Sequence, residues 1–164
     1  MGEFFLAVST EEGRLLYLLA RAASARYIVE FGASYGVSTM FLGAAAADNG
    51  GRLVTTEVHP DKCRAIRQTL RQAALDSFVT LLEGDARETL PAQAPGMEML
   101  FLDGWKSQYL PLLTKVEHLL APAALIVADN ANHEAAADYA DHMTTNRRWF
   151  SHFVGKMLVS VDRA

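Results

Sequence analysis

Two short stretches bring together the residue types that a hard cation and a proton acceptor require. LFLDGWKSQY carries Asp103 and, three residues on, Lys106; LIVADNAN carries Asp129 and Asn130. If the two stretches lie side by side, Asp103, Asp129 and Asn130 converge as oxygen ligands with no sulfur or imidazole among them, which suits Mg²⁺. Two carboxylates that close repel one another, and a cation gives the arrangement a reason. Lys106 beside such a cation has its ammonium form disfavoured and becomes a candidate general base, with a solvated surface lysine as the alternative. Trp105 either walls a substrate site or covers a sheet edge. His59, His118, His133, His142 and His152 show no spacing such as H-E-x-x-H and receive no role.

A third stretch, VEFGASYGVST, places Glu30 ahead of Gly32, Ser34, Gly36 and Ser38. A dinucleotide fingerprint wants glycine at the first, third and sixth positions, yet counting from Gly32 these are Gly32, Ser34 and Val37. Gly32 and Gly36 instead bracket a wider turn that lets the backbone approach a ligand and aims helix amides at a carboxylate; a simple tight turn is the alternative. Downstream, LVTTEV ends near Glu57, an acid placed to accept the two hydroxyls of a ribose or to sit solvated at a loop edge. Gly84-Asp85-Ala86 offers an acid for an adenine amino group or a cap for the next helix. Taken together, these spaced acids and glycines favour a nucleoside ligand.

The elements that must position these residues are legible in the hydrophobic pattern. Ser9-Thr10-Glu11-Glu12 reads as a capping box, with a helix to about Ala23. Apolar runs follow at 27–31, 53–58, 78–82, 97–102 and 123–128, separated by helix-forming stretches, and this alternation predicts parallel strands with crossover helices. From Pro60 to Leu75 the stripe of Cys63, Ile66 and Leu70 predicts an amphipathic helix and makes Cys63 a packing residue. The runs 148–154 and 157–161 are joined by only a couple of residues around Gly155, enough for a hairpin but not for a parallel crossover. In such sheets ligands bind beyond the carboxyl ends of the strands, where these acids lie.

A chain of 164 residues with 51% hydrophobic and 21% charged residues fits one globular domain, 1–164. Its net charge of -4 gives no broad footprint for nucleic acid or anionic membrane; Arg64, Arg67 and Arg71 recur at helical spacing as a solvated face. The lone Cys63 excludes an internal disulfide, and no apolar run reaches about 18 residues, so the expectation is a cytoplasmic location without nucleic-acid or membrane partners.

EFGASYGVS, TEVHPD, EGDA, LDGWK and VADN, in this order, resemble the class I S-adenosylmethionine-dependent methyltransferases, and LDGWKSQY with ADN is most similar to the catechol and caffeoyl-CoA O-methyltransferase group. The likeness spans about Val8 to Asn130. It implies an α/β, Rossmann-like, doubly wound and mostly parallel seven-stranded sheet ending in an antiparallel hairpin. It implies that Glu30, Gly32, Ser34, Ser38 and the Val8 backbone line the methionine end of the cofactor, that Glu57 holds the ribose, and that Val58, Asp85 and Ala86 border the adenine. It further implies Mg²⁺ at Asp103, Asp129 and Asn130, with Asp103 also near the cofactor and Lys106 as the catalytic base. The implied activity is methylation of a hydroxyl on a small aromatic acceptor.

The sequence departs from the family pattern at two places. Catechol-type members place a glutamate near the final hairpin, where this chain has Gly155, Lys156, Met157 and Leu158. Members also carry cap helices before the segment that begins here at Gly2–Val8, and the expectation is that these are absent, leaving the site open, covered by a partner subunit, or belonging to a shortened member. A mouth lined by Trp105 and Tyr109 would then favour a homodimer. The rival functions are a catalytically silent S-adenosylmethionine-binding module and an NAD-dependent oxidoreductase, the latter opposed by the absent G-x-G-x-x-G.

Overall fold

The capping box read from Ser9 starts the first helix: Ser9 Oγ accepts the Glu12 N–H (3.2 Å), and Glu12 Oε2 accepts the Ser9 N–H (2.8 Å). The computed structural model describes residues 8–163, so the expectation about the segment before Val8 falls outside the described residues. The elements are α1 Thr10–Ala22, β1 Tyr27–Phe31, α2 Val37–Asp48, β2 Arg52–Glu57, α3 Pro60–Gln72, β3 Val79–Glu83, α4 Ala86–Thr89, β4 Met97–Leu102, α5 Tyr109–Val116, β5 Leu120–Ala128, α6 Ala137–Thr145, β6 Trp149–Val154 and β7 Met157–Asp162.

The strands form one sheet in the order β3-β2-β1-β4-β5-β7-β6. Strands β1 to β5 run parallel, and β7 is antiparallel to both β5 and β6. All five residues of β1 are buried, as a strand covered on both faces must be. One face packs under α1, α2 and α3 through Leu16, Ala20, Leu42, Ala46, Ile66 and Leu70. The other packs under α5 and α6 through Leu112, Val116, Tyr139 and Met143. Each fully buried aliphatic side chain contributes about 1.5–3 kcal/mol, so these two clusters supply most of the force that holds the layers. Cys63 is buried in the α3 stripe, as its spacing indicates.

Some boundaries differ from the sequence reading, for local reasons. The third helix stops at Gln72 rather than Leu75, because Ala74 turns left-handed (φ 54°) and the Leu75 N–H returns to the Leu70 carbonyl at 2.9 Å. No glycine marks that stop. The fifth strand begins at Leu120 rather than Ala123: Leu120 pairs with Met97, and the register shift before Met99 absorbs Pro122 and the left-handed Ala123.

The order of strands reverses between β1 and β4, which run parallel from a shared register of Ile28 with Met99 to Phe31 with Leu102. This is the switch point at which open α/β sheets bind ligands.

Candidate active site at the switch point

The residues after β1 make the tight turn that the glycine spacing indicates. Gly32 and Gly36 adopt φ of 89° and 88°, and Ser34 between them is also left-handed at 50°. Gly32 is required for a second reason: a Cβ there would lie 2.7 Å from the Gly104 backbone, so the loops after β1 and β4 touch main chain to main chain. Gly104 in turn leaves room for the Phe31 ring, which a Cβ would meet at 2.2 Å. Gly36 then caps α2, whose amides face the turn.

Glu30 lies wholly buried beneath this turn. Its carboxylate accepts from Ser38 Oγ at 2.5 Å, Thr39 Oγ1 at 2.6 Å and Thr55 Oγ1 at 2.6 Å. Burial pushes its pKa above the ordinary value, although the three hydroxyls oppose the shift. Glu30 and Ser38, read from sequence as lining residues, therefore spend their direct contacts on each other, locking the first turn of α2 to β1 and β2. Thr39 and Thr55 were missed by sequence reading; the hydroxyls clustered in VTTE and VST were the available signal.

At the end of β2, Glu57 Oε2 accepts the Ser34 N–H at 2.8 Å, while Oε1 accepts the amides of Val58 (3.0 Å) and His59 (2.9 Å). The carboxylate is buried against the glycine turn and not solvated at a loop edge. Val58 beside it is exposed, and Ala86 is buried. Asp85 caps α4 by accepting the Arg87 N–H at 2.8 Å and is gripped by the Arg87 guanidinium, which holds its carboxyl below the usual range. Lys62 of α3, unassigned in the sequence, reaches Ser34 Oγ at 3.4 Å. Val8 is buried in the cluster under α1.

Across the switch point, the Asp103 N–H donates to the Phe31 carbonyl (2.8 Å) and the Asp129 N–H to the Leu102 carbonyl (2.9 Å). The parallel ladder thus carries both acids to the same edge, one residue beyond the aligned Leu102–Ala128 pair. Lys106 is buried, with Nζ 3.1 Å from Asp103 Oδ1 and 2.7 Å from Tyr109 Oη. The Tyr109 hydroxyl donates to the Asp129 carbonyl at 2.9 Å. Burial together with Asp103 and Asp129 raises the Tyr109 pKa well above its ordinary value, so it remains a donor. Burial, opposed by Lys106 and reinforced by the Asp129 charge, pushes the Asp103 carboxyl up to about 7.

Tyr109 corrects one expectation. It does not line an exposed mouth with Trp105: Tyr109 is fully buried, edge-on to Phe31 and Tyr139, whereas Trp105 is 62% exposed. Tyr109 opens α5 and turns into the core, while Trp105 precedes the helical turn and points outward.

The donor set fits a hard cation. Asp129 Oδ1 and Asn130 Oδ1 are buried without a hydrogen-bond partner, an arrangement that costs free energy unless something else meets them. Asn130 adopts a left-handed φ of 50°. Among the described residues no group of three or more His, Cys, Asp and Glu gathers as a metal cluster; this set is two aspartates and an asparagine. Asp129 Oδ2 faces Lys156 Nζ at 3.3 Å, a contact from the β6–β7 turn that sequence reading did not assign.

A family model described as a methyltransferase domain matches residues 29–131, which run from β1 through the Asp129-Asn130 pair. The chain belongs to that methyltransferase family. Among the curated proteins it resembles are catechol O-methyltransferases. It is 36% identical over 126 residues to a catechol O-methyltransferase of Mycobacterium tuberculosis, covering 76% of this chain and 57% of that protein. It is 34% identical over 129 residues to one of Niastella koreensis, covering 76% of this chain and 58% of that protein. The chain thus spans less than two thirds of the length of these curated relatives. The O-methyltransferase TomG from Streptomyces achromogenes, solved in complex with S-adenosylmethionine, superposes with a TM-score of 0.86 at 26% identity over 97% of this chain and 82% of that one. This methyltransferase fold accounts for the seven-stranded sheet and its closing hairpin. No helix among the described residues is long and apolar enough to cross a membrane.

Proposed function

We propose that this methyltransferase domain transfers the methyl group of S-adenosylmethionine to a hydroxyl oxygen of a small aromatic acceptor, with assistance from a divalent cation held by Asp103, Asp129 and Asn130. The observation that carries the reading is the pair of unpartnered buried oxygens, Asp129 Oδ1 and Asn130 Oδ1, at the strand edge that also carries Asp103 and Lys106.

When bound, the cofactor supplies an activated sulfonium methyl and the cation lowers the pKa of an acceptor hydroxyl. The chain's own part is positional and protonic. Gly32, Ser34 and the Val8 backbone hold the methionine end, resting on the Glu30–Ser38 lock. Glu57 retains acceptor capacity at Oε2 for the ribose, and Val58, Asp85 and Ala86 border the adenine. Lys106 would take the hydroxyl proton at Nζ, leaving the oxygen free to accept the methyl group that the bound cofactor would supply, with a methyl ether and S-adenosylhomocysteine as the products. Asp103 and Tyr109 hold Nζ in place by the hydrogen bonds already described.

The direct test is a panel of phenolic acceptors with S-adenosylmethionine and added Mg²⁺. Turnover that collapses in Lys106→Ala supports the enzyme. Absence of cofactor binding by calorimetry would sink it. The Lys156 contact on Asp129 favours, as a second reading, a cofactor-binding module without turnover, and its signature is cofactor binding with no acceptor methylated anywhere in the panel.

A further inference from the structure

The Lys156 side chain sits between two carboxylates from different parts of the fold. Its Nζ lies 3.3 Å from Asp129 Oδ2, beyond the end of β5, and 3.2 Å from Glu12 Oε1, in the first turn of α1. Neither partner is free to wander. Glu12 is fixed by the capping box through its other oxygen, and Asp129 is wholly buried. The Lys156 carbonyl also accepts the Ala131 N–H at 3.0 Å, which ties the hairpin turn to the loop that carries Asn130.

One ammonium thus serves two acids, and one of those acids is a ligand of the cation site. A divalent ion at Asp103, Asp129 and Asn130 and an ammonium on Asp129 Oδ2 are like charges converging on a single carboxylate, so each weakens the hold of the other. Glu12 gives the ammonium a second partner that does not bind the cation. We propose that Lys156 is a tethered competitor for the cation site: it holds Asp129 when no cation is bound, and releases it toward Glu12 when a divalent ion enters. The cation concentration at which the site fills is then set by the balance between Asp129 and Glu12. This inference rests on the cation site proposed above.

The test is Mn²⁺ binding to the full chain, followed by the electron paramagnetic resonance signal of free Mn²⁺, in the wild type, K156M, E12Q and the double variant. Calorimetry with S-adenosylmethionine serves as the check that each variant is folded, and glutamine at this position still suits a capping box. K156M is expected to bind Mn²⁺ about tenfold more tightly or better, because a positive charge has left a ligand. E12Q is expected to bind it more weakly, and most of that effect should vanish when Lys156 is also removed, as a double-mutant cycle reads directly. Mn²⁺ affinity unchanged or weakened in K156M, beside a wild type that binds, overturns the competitor role alone; so does an E12Q effect of full size in the K156M background. Mn²⁺ binding to neither the wild type nor K156M overturns the cation site and this inference with it. Binding in K156M but not in the wild type supports it.

Discussion

Lys106 Nζ lies 3.1 Å from Asp103 Oδ1 with both side chains withdrawn from solvent, so the candidate base and a candidate cation ligand form one buried pair. Removing either partner of such a pair leaves the other uncompensated, which makes structural and chemical consequences hard to separate unless the substitution is chosen for it.

Lys106→Arg keeps the positive charge but replaces the ammonium by a group that does not deprotonate. Its turnover is expected to fall about 100-fold or more while S-adenosylmethionine binding, measured by calorimetry, stays within a few fold. Retained turnover would remove Lys106 from the proton-transfer role.

The stability of the cation-free protein should depend on pH in a particular sense. Asp103, pushed up to about 7 from 3.8, binds its proton more tightly in the folded chain than in the unfolded one. Its contribution is therefore fully present below the ordinary carboxylate value and is lost as pH rises through about 7, and buried Glu30 shifts in the same direction. Asp85, lowered by Arg87, acts oppositely and loses its contribution on strong acidification. Melting temperatures in EDTA should thus decline between about pH 5 and 8, and Mg²⁺ should remove most of that decline by favouring the ionised carboxylate. A melting temperature that climbs over this range in EDTA contradicts the assignment.

Glu30→Gln replaces an acceptor of three hydroxyl bonds by an amide that has only one acceptor oxygen. Ser38, Thr39 and Thr55 must then compete for it, and the expected loss is about 1–3 kcal/mol in urea unfolding, with weaker cofactor binding because the start of α2 loosens. Glu30→Ala should cost more.

Gly32→Ala introduces a Cβ both at a positive φ and 2.7 Å from the Gly104 backbone. Destabilisation of more than about 1 kcal/mol is expected, together with loss of cofactor binding, whereas alanine at Gly50, where a Cβ meets nothing within 4 Å, carries only the backbone penalty.

Much of this was readable from residues alone, and the failures have physical causes. The β1 and β4 boundaries matched because a strand buried on both faces is a mostly apolar run, broken here only by Glu30 and Glu98, and the α1 start matched because the capping box is a local hydrogen-bond pattern. The α3 stop was not readable, since Ala74 takes a left-handed conformation that alanine rarely adopts. Asp85 does cap the next helix, because its carboxylate meets the Arg87 N–H two residues on, a contact local enough to be read from the chain. The burial of Tyr109 was not readable, since the helical turn between it and Trp105 leaves one ring exposed and turns the other into the core.

The sequence by itself determined which groups reach the strand ends, because hydrophobic period, capping residues and glycine spacing are properties of neighbours along the chain. It therefore specified the alternating architecture, the closing hairpin and the oxygen-rich stretches around Asp103 and Asp129. Only the tertiary structure decided how those groups share partners. Parallel pairing of β4 with β5 sets Asp103 and Asp129 on one edge, packing of α5 brings the Tyr109 hydroxyl to Lys106, and the hairpin turn carries Lys156 to Asp129 and Glu12. Burial then turns these long-range contacts into strong electrostatic ones, because few water molecules remain to screen them.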